Sequence, residues 1–416
     1  MLPAPSSSIC TAGPFVRSHS HKAAALVRLL ARVATIAAIL AAWARSLAPA
    51  SASEPAEATS KAAVRASFKF DPEDEILSVP VHVGTQDYRF VLDTGMSFGC
   101  FDVSLRSHLG PCVGSTRVVV PTGDEVKLEL YTPPNARIGS LPLTGHPVLC
   151  NDLAPIREAS GHGLYGFVGM DFLKDRTIAI DFDEGRLDVL PPGTEGDPKW
   201  GEKIPFEYNA NGIMLVSVTV GKDVRTPFEV DTGDTGTGRL DYSLFSRLAG
   251  SHELRVTGDT DTMTLPGVGS PRVARLSHLS LGPFRHENLR FASSKQNALG
   301  LKYLSRYRVT IDFPNQRLYL AKGKRFSDHD RGSTCGLSLL FKPGALAVEK
   351  VDEKGPAQLA GVLAGDVITH LCGKPISALK PSEISRLLKA EDKAVQMTLQ
   401  RGGKTMEVAF TPKEYD

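Results

Sequence analysis

The chain has only six cysteines in 416 residues and no CxxC among them, which argues against a cysteine metal site or a redox motif. Its eleven histidines include no HExxH. The Asp/Gly-rich stretches Asp231 to Gly238 and Gly258 to Asp261 lack the ligand spacing of an EF-hand, so no metal and no organic cofactor is expected. There is no Lys/Arg tract with interleaved aromatics, and the net charge is only +2, which leaves no electrostatic case for nucleic acid or an anionic membrane surface. Long hydrophobic runs are missing too. The apolar stretch Val33 to Trp43 is about half of the roughly 20 residues that a membrane-spanning helix needs. Arg17, Lys22, Arg28 and Arg32 precede it and Ala50-Ser51-Ala52 follows as a small-residue cleavage site, the order of a secretory signal peptide over 1–52. An uncleaved leader acting as a membrane anchor is the alternative, and either outcome places the remainder outside the cytoplasm, periplasmic or extracellular. Removal of the leader leaves five cysteines, an odd number. Cys100 with Cys112 and Cys335 with Cys372 are open as bridges, with buried free thiols as the alternative.

What is present is repetition. Residues 53–67 read as a linker, and from about Phe68 short β-type runs alternate with Gly, Pro and Asp. Ile76-Leu77-Ser78-Val79-Pro80-Val81-His82-Val83-Gly84 resembles Ile213-Met214-Leu215-Val216-Ser217-Val218-Thr219-Val220-Gly221. Each leads to an apolar run ending in Asp-Thr-Gly: Asp93-Thr94-Gly95-Met96-Ser97 and Asp231-Thr232-Gly233-Asp234-Thr235. Further on, Phe167-Val168-Gly169 parallels Ala298-Leu299-Gly300, and Ile178-Ala179-Ile180-Asp181-Phe182 parallels Val309-Thr310-Ile311-Asp312-Phe313. The interval from the glycine to that aspartate is twelve residues in both copies. The chain therefore duplicates a β-rich lobe, at 68–196 and 197–324. A third unit spans 332–414. In it, Gly336-Leu337-Ser338-Leu339 opens a strand, and Ser382 to Lys389 carries a capping Ser with helical apolar spacing. Val395 to Arg401 and Lys404 to Thr411 form a hairpin around Gly402-Gly403.

Two carboxylates brought together by a duplicated fold repel, so one keeps a proton while the other can deprotonate a water. The protonated partner can then donate to a scissile carbonyl. With Asp-Thr-Gly-x-Ser/Thr and the apolar-apolar-Gly segment in both copies, the duplicated lobe resembles the pepsin and retropepsin families of aspartic peptidases. Its lobes are shorter than pepsin's, so two fused retropepsin-like units describe it better. The resemblance implies a mainly β, bilobal acid-protease fold with duplicated closed β-barrel lobes. It implies Asp93 and Asp231 as the catalytic dyad. Phe167, Val168 and Gly169, with Ala298, Leu299 and Gly300, are the crossed-loop segments behind the two aspartates. Thr94 and Thr232 are expected to brace the two loops across a pseudo-twofold axis. Gly95 and Gly233 admit backbone N–H groups close to the carboxylates, and Ser97 and Thr235 are placed to bond the outer carboxylate oxygens. A substrate flap is expected at Arg117 to Leu130, turning at Pro121-Thr122-Gly123-Asp124, with Thr257 to Val273 as its counterpart. The first hairpin lacks the tip tyrosine of pepsin-like enzymes, with Tyr131 just beyond. Gly95-Met96-Ser97-Phe98-Gly99 also fits the nucleophile elbow G-x-S-x-G, but no amphipathic helix follows it.

The third unit resembles a PDZ domain, a small α+β module. The loop at Gly336, Leu337, Ser338 and Leu339 would receive a peptide C-terminus or an internal segment as an added strand, and Ile384, Leu387 and Leu388 would line or support the side-chain pocket. The alternative is a tethered domain that packs on the lobes. Together these features predict an exported, single-chain aspartic endopeptidase of the bacterial envelope, monomeric, acting on proteins or peptides that the PDZ domain recruits or gates. A non-catalytic peptide-binding scaffold on the same fold is the rival reading.

Overall fold

The structure, a computed structural model, describes residues 64–414 except 120–124, 144–145, 192–193, 195, 260–261, 265–266, 333 and 392. The leader, most of the linker and the turn of the first expected flap lie outside the described residues. The described chain is mainly β, with short helices. Among the described residues, no helix is long and apolar enough to cross a membrane.

Alternating burial builds the strands of each lobe. In Met214–Val220 the residues Met214, Val216, Val218 and Val220 are fully buried, and their neighbours face outward. This strand pairs antiparallel with Val224–Val230, as Ser78–Val83 pairs with Gln86–Leu92 in the first lobe. At the end of each hairpin's second strand sits an aspartate, Asp93 or Asp231. The segments Leu164–Val168 and Ala298–Leu299 then run parallel to those strands, with Val168 opposite Leu92 and Leu299 opposite Val230. On its other side each segment pairs antiparallel with the strand that follows the Asp-Thr-Gly loop, Cys100–Asp102 or Gly238–Asp241. The same local topology is thus built twice.

The lobes join through a continuous sheet. Across the junction its strands run in the order Ala66–Lys69, Arg186–Leu190, Thr177–Asp181, Tyr307–Asp312, Arg317–Lys322 and Glu202–Tyr208, and from there the sheet continues into the second lobe. The central pair is antiparallel, with Ile178 opposite Ile311 and Ile180 opposite Val309, so each repeat contributes three strands about a local twofold. One continuous apolar core, from Leu77 and Phe90 through Ile180 and Ile311 to Phe291, unites both lobes. The strand Ala66–Lys69 begins inside the stretch read as linker, so the folded region starts two residues earlier than its composition suggested.

A separate core, built on Leu346, Ile368, Ile384, Met397 and Leu399, defines the C-terminal unit. Its sheet runs in the order Leu337–Lys342, Ala345–Val351, Val367–Leu371, Val395–Arg401 and Lys404–Phe410, with the helix Pro381–Leu388 beside it. Gly402 and Gly403 both take positive φ (54° and 78°), which a two-residue hairpin turn between Arg401 and Lys404 requires. The helix starts two residues earlier than a Ser382 cap implied. Lys380 is the N-cap, its own N–H donating to Glu383 (2.9 Å), while the Ser382 hydroxyl, expected as a cap, points to Asp71 (3.1 Å).

Candidate active site

The two Asp-Thr-Gly loops meet at the lobe junction and are tied by a reciprocal set of hydrogen bonds. The Thr94 N–H donates to Thr232 Oγ1 and the Thr232 N–H to Thr94 Oγ1, both at 3.1 Å. Thr94 Oγ1 donates to the Val230 carbonyl at 2.5 Å, and Thr232 Oγ1 to the Leu92 carbonyl at 2.6 Å. Each hydroxyl thus satisfies the backbone of the opposite lobe in a buried position. Net, each such bond is worth about 1 kcal/mol, and leaving one partner unpaired costs more. Behind the loops, the Asp93 N–H donates to the Val168 carbonyl and the Asp231 N–H to the Leu299 carbonyl, both at 2.9 Å. The glycine that ends each segment is needed for close approach. A Cβ at Gly169 would lie 2.8 Å from the Met96 carbonyl oxygen, and one at Gly300 would meet the Gly236 backbone. The short helices after these glycines donate back to the loops, Met170 N–H to Met96 O and Leu301 N–H to Asp234 O, each at 2.7 Å.

This frame sets Asp93 and Asp231 side by side, each 7% exposed. Each loop glycine abuts the opposite carboxyl. A Cβ on Gly95 would fall 2.6 Å from the Asp231 carboxyl carbon, and one on Gly233 would meet the Asp93 carboxyl. Asp93 Oδ1 accepts from the Gly95 N–H (2.8 Å); Asp231 Oδ1 accepts from the N–H groups of Gly233 (2.9 Å) and Asp234 (3.1 Å). Burial first, then the charge of Asp231 and a hydrogen bond shared with it, push the Asp93 carboxyl well above the usual range; the Gly95 N–H and Arg239 oppose this.

The two supporting hydroxyls are not where their spacing suggested. Ser97 Oγ donates to the Asn211 carbonyl of the second lobe (2.8 Å) instead of to Asp93, and Thr235 is exposed. Asp231's outer oxygen is met by a residue that motif reading missed: Arg239 Nη2 donates to Asp231 Oδ2 at 2.7 Å. Arg239 Nη1 also lies 3.1 Å from Asp234 Oδ2, and its side chain is 13% exposed. Burial alone would lower the guanidinium's pKa, but the carboxylates of Asp234 and Asp231 raise it and hold it charged. No family motif marks this position; the signal available was a lone arginine in a strand whose neighbours are apolar. Glu229 completes the cluster. Burial and then Asp231 push its carboxyl up to about 7, with Arg239 easing the shift.

Glu229 gives a pH-dependent stability. Its folded pKa of about 7 stands above the ordinary 4.5, so its contribution is intact below pH 4.5 and is lost as pH rises through 7. Glu229→Gln retains an acceptor for the Asn209 side chain (3.3 Å). It should therefore leave stability unchanged at pH 4 and add up to about 3 kcal/mol at pH 8, read by denaturant unfolding at both pH values.

The expected flaps are hairpins as far as they are described. Strands Cys112–Val119 and Glu125–Tyr131 pair around residues 120–124, while Leu254–Asp259 pairs with Arg272–Leu281 and a small Thr262–Thr264/Gly267–Gly269 ladder lies between them. Tyr131 is buried under the Arg106 guanidinium, 3.9 Å from its ring centre, away from a flap tip. After Gly95-Met96-Ser97-Phe98-Gly99 the chain forms the strand Cys100–Asp102, not the helix that a nucleophile elbow requires. All five cysteines from Cys100 onward are free, so neither bridge forms; Cys100 is buried in a strand, whereas Cys112 is exposed.

The C-terminal unit rests on the first lobe. Gly336 precedes the edge strand carrying Leu337, Ser338 and Leu339, and Ile384 is buried in the facing helix. Ser385 donates to Glu75 (2.9 Å), Lys389 pairs with Glu75, and Lys342 pairs with Glu158 (2.7 Å). The Phe341 ring lies directly on Gly161. A cavity of about 340 Å³ remains between them, lined by Phe341, Leu379 and Ile384 on one side and by Arg157 and His162 on the other.

Residues 348–401 match the family model of the PDZ domain, a peptide-binding module. No curated protein matches the chain. Among solved structures, the aspartic proteinase from Irpex lacteus is similar to it at 14% identity, over 64% of this chain and 98% of that chain, with a TM-score of 0.41. That is a weak likeness of fold and no more.

Proposed function

We propose that this chain is an aspartic endopeptidase with a pepsin/retropepsin-like pair of fused lobes, whose dyad is Asp93 and Asp231. The observation that carries the reading is the reciprocal threonine tie, which sets two buried carboxyls of equivalent repeat positions against each other. Two such groups share one proton. The ionised member takes a proton from a water, the resulting hydroxide attacks the peptide carbonyl, and the protonated member donates to the carbonyl oxygen. Collapse of the tetrahedral diol passes a proton to the leaving amine and releases it. We place the enzyme outside the cytoplasm on the strength of its basic and apolar leader. Cleavage of a peptide mixture between acidic and neutral pH tests the proposal. It should be blocked by a statine-type inhibitor and lost in Asp93→Asn and Asp231→Asn. Proteolysis indifferent to both aspartates, or none at any pH, would reject it.

The scaffold reading draws on two observations, the PDZ match and the guanidinium already seated on Asp231. The same assay separates the two readings. The contacts of Ser382, Ser385, Lys389 and Lys342 with the first lobe support the alternative of a tethered domain that packs on the lobes, and recruitment or gating by it is the part left to experiment. Removing 332–416 should weaken cleavage of folded or long proteins several-fold more than that of short peptides, compared as kcat/KM. Equal activity on both would exclude recruitment by the PDZ domain.

A further inference from the structure

We propose that Arg239 is a positioning residue of the dyad, breaking its symmetry by fixing Asp231 as the ionised member and leaving the shared proton on Asp93. The inference rests on the dyad reading above, but its geometry stands by itself.

The two lobes provide an internal comparison. Arg239 lies opposite Ala298 in the second lobe, and the equivalent register of the first lobe sets Cys100 opposite Phe167. One register position thus carries a guanidinium beside Asp231 in the second lobe and a fully buried thiol in the first. Burial, first of all, raises the Cys100 thiol, so it stays neutral and supplies no charge. The groups around Arg239 are all carboxyls. Asp231 Oδ2 receives an aligned hydrogen bond at 2.7 Å; Asp234 Oδ2 is a charge neighbour at 3.1 Å without hydrogen-bond alignment. Glu229 adds a third carboxyl from the strand leading into the loop, and Asp93 a fourth from across the lobe junction.

One cation cannot compensate four buried carboxylates, so protons must be retained where donors are fewest. Asp231 accepts from two backbone N–H groups and the guanidinium. Asp93 accepts from the Gly95 N–H and shares a hydrogen bond with Asp231. Asp234 is raised by burial and then by Asp231, against Arg239. The charge therefore settles on Asp231. In the reaction this makes Asp231 the group that takes the proton from water and Asp93 the group that donates to the carbonyl oxygen. Both return to their starting states when the amine leaves.

The test is a pH titration of the full chain with ¹³C-labelled aspartate carboxyls, run beside the pH profile of kcat/KM. The proteins are wild type, Arg239→Gln and Arg239→Lys. Removing an opposite charge at this distance shifts a carboxyl by about one to three pH units. Asp231 should ionise first in wild type and rise by at least about one unit in Arg239→Gln, carrying the acid limb of the profile with it. At a pH below that limb, kcat/KM should fall about tenfold or more, while Arg239→Lys keeps most of the wild-type profile. An arginine that only packs would lower activity equally at every pH. If Arg239→Gln does not fold, the order of ionisation in wild type and the profile of Arg239→Lys decide the proposal. Asp93 ionising before Asp231, or a folded glutamine variant whose limb does not move, overturns the proposal. Should wild type cleave no peptide, the dyad reading fails separately, and the NMR order of ionisation still decides the role of Arg239.

Discussion

Asp93→Asn and Asp231→Asn should each lower kcat/KM for peptide cleavage by about 10²- to 10⁴-fold, the scale of positioned acid–base catalysis. Asparagine keeps the shape of the side chain and can still accept the loop N–H groups, but it neither holds the shared proton nor takes one from water. The two substitutions should part company in stability. Asp93 is held well above the usual range by burial and by Asp231, so it folds largely protonated, and an uncharged amide replaces it at little cost. Asp231 accepts the Arg239 guanidinium at 2.7 Å in a buried position. Its replacement leaves the cation with Asp234 alone and should cost about 3 kcal/mol, the lower end for breaking a buried pair. Denaturant unfolding of both variants beside their kinetics reads the two effects independently. Matching activity losses with unequal stabilities would locate the chemistry in the pair and the charge in Asp231.

Gly95→Ala carries the second large effect. Its new Cβ would lie 2.6 Å from the Asp231 carboxyl carbon, inside contact distance, so the carboxyl or the loop has to move by about an ångström. A displacement of that size at reacting groups costs about 10²-fold or more in kcat/KM. The backbone at Gly95 is not in the left-handed region, so the loss is steric and local. Gly250→Ala provides the control: a Cβ there meets nothing within 4 Å, and activity should not change. A Gly95→Ala enzyme as active as Gly250→Ala would mean that the carboxyls do not work at the separation the structure shows.

Much of this arrangement was legible because it is written in short, repeated strings. An Asp-Thr-Gly at the end of each hairpin and an apolar-apolar-Gly segment later in each repeat are local patterns. A duplicated fold has few ways to place them other than about a twofold, and the pairing of Ile178 with Ile311 shows that twofold in the sheet itself. What escaped depends on residues far apart in sequence. Ser97 was assigned to its own aspartate by spacing, but its nearest acceptor is the Asn211 carbonyl on the other lobe. Ser382 looked like a helix cap because hydroxyls favour that position, yet the helix starts at Pro381 and the hydroxyl serves a contact with Asp71. Arg239 was invisible for a different reason. Within its strand it is flanked by Gly238 and Leu240, and only the register against Ala298 reveals that its side chain ends at Asp231. The docking of the PDZ domain on the first lobe was likewise unreadable, since Glu75 and Lys389 belong to different domains and carry no motif.

The central claim is that a single chain assembles one site from two lobes. Titrating peptidase activity with a tight-binding statine-type inhibitor measures this directly. Cleavage should end at one inhibitor molecule per chain, and Asp93→Asn should have no activity left to titrate. An endpoint of one inhibitor per two chains, or cleavage that persists at saturating inhibitor and in Asp93→Asn, would contradict it.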